Sequence, residues 1–278
     1  MHFPPIFAGI LNNLQAIVLG IVEGITEFLP ISSTGHMIIA STLMGINDND
    51  FVKMFEVVIQ FGAILSIVVL YWRKFLPGSK PIKEWLNFYL QLIVAFIPAA
   101  VFGFLFHDLI KQMIGSVTVV AISMLAGGIV LIFIDNIFTE EGEGPEKPVS
   151  FTMALKIGMF QVISMIPGVS RSAATIVGGM TQKLSRKQAA EFSFFLAVPT
   201  MAAASGLDLM NHYKSITYET LIPLAIGFIV AFIVAMIAVK AFVGYLTRHG
   251  FKAFGYYRII VGTILLLLIA LEVNLHML

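Results

Sequence analysis

The chain has 278 residues, of which 58% are hydrophobic and 12% charged, with a mean hydropathy of +0.93 and a formal net charge of +1. Those values exclude a soluble globular domain, and without a basic tract the near-neutral charge leaves no footprint for nucleic acid. Zero cysteines exclude disulfides, thiolate metal sites and a cysteine nucleophile.

Along the chain, the first Lys or Arg is Lys53, so no cleavable signal peptide is expected. Residues 6–45 form an apolar stretch broken at Pro30 into two pieces too short to cross ~30 Å of hydrocarbon. Full spans are predicted at Phe51–Trp72, Leu86–His107 and Ser116–Phe138. Residues 151–184 repeat the interruption at Pro167-Gly168, and spans follow at Gln188–Met210, Thr220–Val243 and Phe254–His276. Proline removes a backbone donor and clashes with the preceding turn, so each broken region reads as a re-entrant pair of short helices. Irregular backbone survives in lipid only where protein or a water-filled cavity surrounds it. Two ordinary spans per region are the alternative. Pro98 and Pro199 are expected to kink their helices. The predicted fold is an all-α polytopic membrane domain, residues 1–278, with six transmembrane helices plus two re-entrant helical hairpins.

Basic residues set the orientation. Arg73, Lys74, Lys80, Lys83, Lys147, Lys156, Lys183, Arg186, Lys187, Lys240, Arg248, Lys252 and Arg258 thread to one side, leaving Lys53, Lys111 and Lys214 on the other. The positive-inside rule makes the crowded side cytoplasmic and puts both termini outside. The loop Glu140–Glu146 also falls inside, because acidic residues weigh little in that rule. A hairpin plus three spans occurs twice, and three is odd, so repeat two (151–276) is expected to be inverted relative to repeat one (6–138). The stretch from Phe55 to Ser66 aligns with that from Phe192 to Ala203. Inverted repeats place their sites near the midplane.

The polar residues of the two breaks carry the chemistry. Glu23 and Glu27 lie four apart, on one helix face, and each charge costs roughly 3 kcal/mol at the centre of a membrane helix. Such a pair shares a proton, faces a cation or meets water; oxygen-only ligation suits Mg²⁺ or Ca²⁺. Glu23 merely solvated at the outer interface is the plainer reading. Ser32, Ser33 and Thr34 open the next helix, where free amides and the dipole favour phosphate or carboxylate, and Gly35 permits close approach. Ser33 beside His36 and a carboxylate suits a nucleophile with base assistance, although serines at such positions also serve as caps. The second break mirrors this cradle with Gly168, Ser170, Ser172 and Thr175, and adds Arg171, whose planar fork matches phosphate oxygens. A structural ion pair between Arg171 and Glu23 or Glu27 is the competing reading. Glu56, Gln60 and Glu191 are further candidates to line a cavity. Small residues at Gly127-Gly128 and Gly178-Gly179 suit internal helix packing or a homodimer interface alike.

At these residues the chain resembles the bacterial undecaprenyl-diphosphate phosphatase family, which confers bacitracin resistance. The resemblance rests on the stretch from Glu23 to His36 and on Pro167-Gly-Val-Ser-Arg-Ser-Ala-Ala-Thr175. It extends to Phe55-Glu-Val-Val-Ile-Gln-Phe-Gly, Glu191-Phe-Ser-Phe-Phe-Leu-Ala-Val-Pro and Tyr257-Arg-Ile-Ile-Val-Gly, covering most of the chain. It implies removal of the terminal phosphate from a C55 polyprenyl diphosphate, a divalent-cation requirement, and a site in the inner (plasma) membrane open toward the periplasmic or outer face. In that scheme Ser33 attacks phosphorus or positions a water, and Glu27 or His36 takes the proton; His36 as nucleophile is the variant. Glu23 and Glu27 hold the cation, Arg171 clamps the phosphoryl oxygens, and Ser32, Thr34, Gly168, Ser170, Ser172 and Thr175 bind the substrate. A transporter or flippase for an anionic solute or polyprenyl phosphate is the rival, because broken helices in inverted repeats are also its hallmark.

Overall fold

A computed structural model describes residues 11–46, 50–78, 81–114, 116–138, 147–212 and 216–273. The loop Glu140–Glu146, Lys80, Lys214 and His276 lie outside them. Among the described residues every α or β element is an α-helix. They are α1 (Asn13–Thr26), α2 (Ser33–Met44), α3 (Asp50–Leu70), α4 (Trp72–Phe75), α5 (Ile82–Leu105), α6 (His107–Ile114), α7 (Val117–Ile137), α8 (Phe151–Ile163), α9 (Arg171–Thr181), α10 (Arg186–His212), α11 (Leu221–His249) and α12 (Lys252–Ala270).

Five stretches are long and apolar enough to cross a membrane: Ile82–Leu105, Val117–Ile137, Arg186–Leu207, Tyr218–His249 and Lys252–Ala270. Within α3 the apolar stretch Met54–Leu70 is shorter. The outward side chains of the long helices are themselves apolar, among them Ile97, Phe104, Ile122, Phe133, Ile229 and Leu267, a surface that suits lipid rather than water. Pro98 and Pro199 sit inside α5 and α10. Two short helices, α4 and α6, were not expected from the sequence.

Both predicted breaks are present. Helix α1 starts on a capping box, Asn12 Oδ1 accepting from the Gln15 amide at 2.9 Å and Gln15 Oε1 from the Asn12 amide at 3.0 Å. It ends at Thr26, ahead of Pro30. Helices α1, α2, α8 and α9 have 14, 12, 13 and 11 residues, and at 1.5 Å per residue none spans ~30 Å of hydrocarbon. Helix α1 packs on α2, and α8 on α9.

The most extensive of the other contacts cross between the halves of the chain. Helix α1 lies against α11 and α8 against α5; α3 packs on α10, and α7 on α12. Small residues permit the closest crossings. A Cβ on Gly20 would stand 2.8 Å from the Gly227 carbonyl oxygen, one on Gly24 would stand 2.9 Å from that of Ala231, and one on Gly158 would collide with that of Ala95. Gly127 and Gly128 meet the Arg258 side chain and the Gly255 carbonyl, while Gly178 and Gly179 meet Phe160 and Ala189. Both glycine pairs therefore serve contacts within the chain. At the tip of the first break Phe28 is buried edge-on against Phe194 of α10, with ring centroids 5.5 Å apart.

Candidate active site

The chain leaves each break through a serine in the left-handed region, Ser32 at φ 71° and Ser170 at φ 76°. A non-glycine residue pays for that conformation in strain. Each is the N-cap of the following helix: Ser32 Oγ accepts from the Gly35 amide at 3.5 Å and Ser170 Oγ from the Ala173 amide at 3.3 Å. The breaks thus carry matching backbone, and the first side chain of each new helix can hydrogen-bond: Ser33 on α2, Arg171 on α9.

These two side chains meet on Glu27. The Ser33 hydroxyl donates to Glu27 Oε2 at 2.8 Å, and Arg171 Nη2 donates to Glu27 Oε1 at 3.3 Å. Arg171 Nη1 donates to the Ser193 carbonyl at 2.9 Å, and the guanidinium carbon stands 5.8 Å from the Phe28 ring centre. Its Nε is buried without a partner. Glu27, Ser32, Ser33, Thr34, Gly168, Ser170 and Arg171 all line one cavity of about 300 Å³. Gln60, Gln161, Ser164, Thr200 and Ser205 also line it.

Other expected residues sit elsewhere. Glu23 is only 2% exposed, so it is not a solvated interfacial carboxylate. It lies within electrostatic reach of Glu27, Glu56 and Arg171, and its Oε1 is buried without a hydrogen-bond partner. Ser172 and Thr175 are fully buried behind the cavity wall. Ser172 donates to the Leu29 carbonyl at 2.7 Å, tying the second break to the first. Thr175 donates to the Arg171 carbonyl at 2.8 Å and pairs with Ser193 Oγ at 2.6 Å. Both His36 ring nitrogens are engaged elsewhere: Nδ1 donates to the Ser32 carbonyl at 2.7 Å, and in the neutral ring Nε2 then accepts from the Tyr257 hydroxyl at 2.6 Å. The two rings stack nearly parallel, 5.4 Å apart. Glu191 lines a different cavity, shared with Lys74, Trp85 and Lys147.

Arg258 departs furthest from the sequence reading, which grouped it with loop-flanking basic residues. It is fully buried in α12. All five of its N–H donors reach carbonyls: Met124 at 3.2 Å, Ser123 at 3.1 Å, Pro30 at 3.1 Å, Gly168 at 2.9 Å and Val169 at 2.8 Å. Pro30 belongs to the first break, Gly168 and Val169 to the second. Gly168 has φ 91° and abuts Val120, where a side chain would collide with backbone. One guanidinium therefore fastens both breaks to α7.

Taken together, the cavity offers a hydroxyl on a carboxylate, a guanidinium on the same carboxylate, and two helix starts, an arrangement suited to a phosphoryl group. As to metal, no group of three or more His, Asp or Glu side chains suited to an ion occurs among the described residues. Glu23 and Glu27 nonetheless fit a hard cation, since Mg²⁺ commonly takes one or two carboxylates and fills its shell with water and phosphate oxygens, and Glu23 Oε1 has no other partner.

The profile of the family described as bacitracin resistance protein BacA matches residues 16–264. A protein of Bdellovibrio bacteriovorus named undecaprenyl-diphosphatase is 54% identical over 93% of this chain and 97% of its own length. Proteins of the same name from Flavobacterium psychrophilum and Porphyromonas gingivalis are 53% and 51% identical, covering 93% and 94% of this chain and 96% and 98% of their own lengths.

Proposed function

Because the chain belongs to the bacitracin resistance protein BacA family, we propose that it is a membrane phosphatase that hydrolyses undecaprenyl diphosphate to undecaprenyl phosphate and phosphate, recycling the cell-wall lipid carrier. The observation that carries this is the chain of contacts Ser33–Glu27–Arg171 on the cavity wall. A transporter is not favoured, since the relatives bear the name of a phosphatase.

The Ser33 oxygen attacks the terminal phosphorus, or positions a water that does, and its proton passes to Glu27 Oε2. The bond from phosphorus to the bridging oxygen breaks, and the lipid leaves as the monophosphate. Where the serine itself attacks, water then cleaves the phosphoserine and restores the hydroxyl; where a water attacks, inorganic phosphate forms directly. Arg171 releases part of its hold on Glu27 to meet the phosphoryl oxygens, and its unpartnered Nε supplies a further donor. The amides that open α2 and α9 receive the remaining charge. His36 has both ring nitrogens engaged by Ser32 and Tyr257, which supports Glu27 as the proton acceptor and Ser33 rather than His36 as nucleophile. Glu23 and Glu27 would hold a divalent cation, Mg²⁺ or Ca²⁺, which when bound neutralises charge on the group being transferred.

The architecture we infer is an inverted repeat of six spans and two re-entrant hairpins, residues 6–138 and 151–276. Its support is the pairing of α1 with α11 and of α8 with α5, together with the matching serines Ser32 and Ser170. Basic residues between α3 and α5, and at the C-terminal end of α11, favour a cytoplasmic side there and a cavity open to the periplasmic or outer face of the inner membrane. Phosphate release from polyprenyl diphosphate by the purified protein in detergent tests the function. Unimpaired turnover by both Ser33→Ala and Glu27→Gln would overturn the mechanism.

A further inference from the structure

The catalytic contacts leave part of the cavity unexplained. Gln161 on α8 lines the cavity, is 1% exposed, and its Nε2 has no hydrogen-bond partner. Leaving such a buried donor unpaired is costly, and a polar group in that state points to a missing ligand. Its carbonyl is turned toward Thr200, whose hydroxyl lies 3.4 Å away. Gln60 on α3 repeats the arrangement: its Oε1 accepts from the Ser205 hydroxyl at 2.8 Å, so its amide NH₂ is the end left to face the cavity. Thr200 and Ser205 both belong to α10 and orient the two amides alike.

Given the reading above, on which this step rests, we propose that Gln161 and Gln60 form the subsite for the phosphate that stays on the lipid, and so select a diphosphate headgroup over a monophosphate. The chemistry of the donors separates this subsite from the one built on Arg171. In the transition state charge grows on the bridging oxygen as its bond to the transferred group breaks, and the guanidinium and helix starts around that group act there. The non-bridging oxygens of the retained phosphate change charge far less than the bridging one, and neutral amides hold them about equally in the ground and transition states. Groups that bind ground state and transition state equally act on KM and not on kcat. A lipid monophosphate placed for hydrolysis at the Arg171 subsite would leave both amides unpaired, and sites built around buried donors discriminate strongly against ligands that leave them so.

Steady-state kinetics on polyprenyl diphosphate, with two product inhibitors, test this in wild type, Gln161→Leu and Gln60→Leu. The expected result is a KM raised about tenfold or more in each variant, with kcat nearly unchanged. Inhibition by polyprenyl monophosphate should weaken in parallel, while inhibition by inorganic phosphate, which needs only the Arg171 subsite, stays as in wild type. Gln161→Glu, close in shape but lacking the donor, guards against misfolding and should be worse than the leucine variant because it repels the anion. The proposal is overturned if kcat falls at constant KM, if the two inhibitors weaken equally, or if the glutamate variant performs like wild type. Binding of polyprenyl monophosphate, followed by the rise in unfolding temperature it causes, separates this outcome from the underlying one. A wild type that binds the lipid phosphate through Gln161 but releases no phosphate from the diphosphate refutes the phosphatase reading alone.

Discussion

Replacing Arg258 by methionine removes five hydrogen bonds at once and leaves five carbonyl oxygens in the interior, three of them in the two breaks. A buried polar group deprived of its partner costs about 1–3 kcal/mol. Some of that is offset, because the cation no longer has to be desolvated, a penalty of several kcal/mol. A net loss of about 5 kcal/mol is expected, comparable to the lower end of the ~5–15 kcal/mol by which domains are stable. At ~2–4 °C per kcal/mol for a chain of this size, the unfolding midpoint in detergent should fall by roughly 10–20 °C. Phosphate release should fall with it, since the carbonyls of Pro30 and Gly168 fix the loops that carry Ser33 and Arg171. Arg258→Lys keeps the charge with three donors instead of five, and should lie between wild type and methionine. Gly127→Ala probes the same strut independently, because its new methyl group would collide with the guanidinium. A methionine variant with the midpoint and turnover of wild type would show that the strut is idle.

Other substitutions separate the roles assigned to the site. Ser33→Ala and Glu27→Gln should each lower kcat by ~10²–10⁴-fold in a phosphate-release assay on folded protein. His36→Ala and Tyr257→Phe should be non-additive, because each breaks the same 2.6 Å contact; additive losses would mean that the pair does not act as a unit. Ser172→Ala should lower the unfolding midpoint by a few degrees, for a loss of ~1 kcal/mol, and leave KM as it is; a raised KM would return Ser172 to the phosphate shell. Chelation of divalent cations should stop turnover, with Mg²⁺ or Ca²⁺ restoring it, and Glu23→Gln should raise the cation concentration needed for half-maximal rate.

Charges inside apolar runs are legible because the bilayer penalises them so heavily that only a partner or a ligand keeps them there. An ion pair between Arg171 and Glu23 or Glu27 is therefore readable as an alternative to a bound phosphate, and the structure forms it with Glu27, 144 residues away; the prolines mark where the backbone turns. Direction was harder to read. Whether Ser172 and Thr175 face the cavity depends on how α9 is rotated about its axis, and residues beside Ser170 carry no mark of that rotation. Arg258 reads as loop-flanking because a basic residue five positions into an apolar run resembles one that snorkels to the interface. Its five carbonyl partners are backbone atoms, which leave no trace in residue identity. Gln161 carries no charge, so its burial stood out only once its empty hydrogen-bond position was visible.

The pairing of α1 with α11 has a bearing on how the chain is made. About 200 residues separate the two helices, and at ~5–20 residues per second the ribosome needs tens of seconds to deliver the second. For most of that interval Glu27 lacks Arg171, on a segment too short to span the bilayer. On the architecture proposed above, the pair of α1 and α2 would wait at the edge of the bilayer or within the insertion machinery and be drawn in late. Translation pauses after α7 should lengthen the wait and expose the segment to membrane proteases.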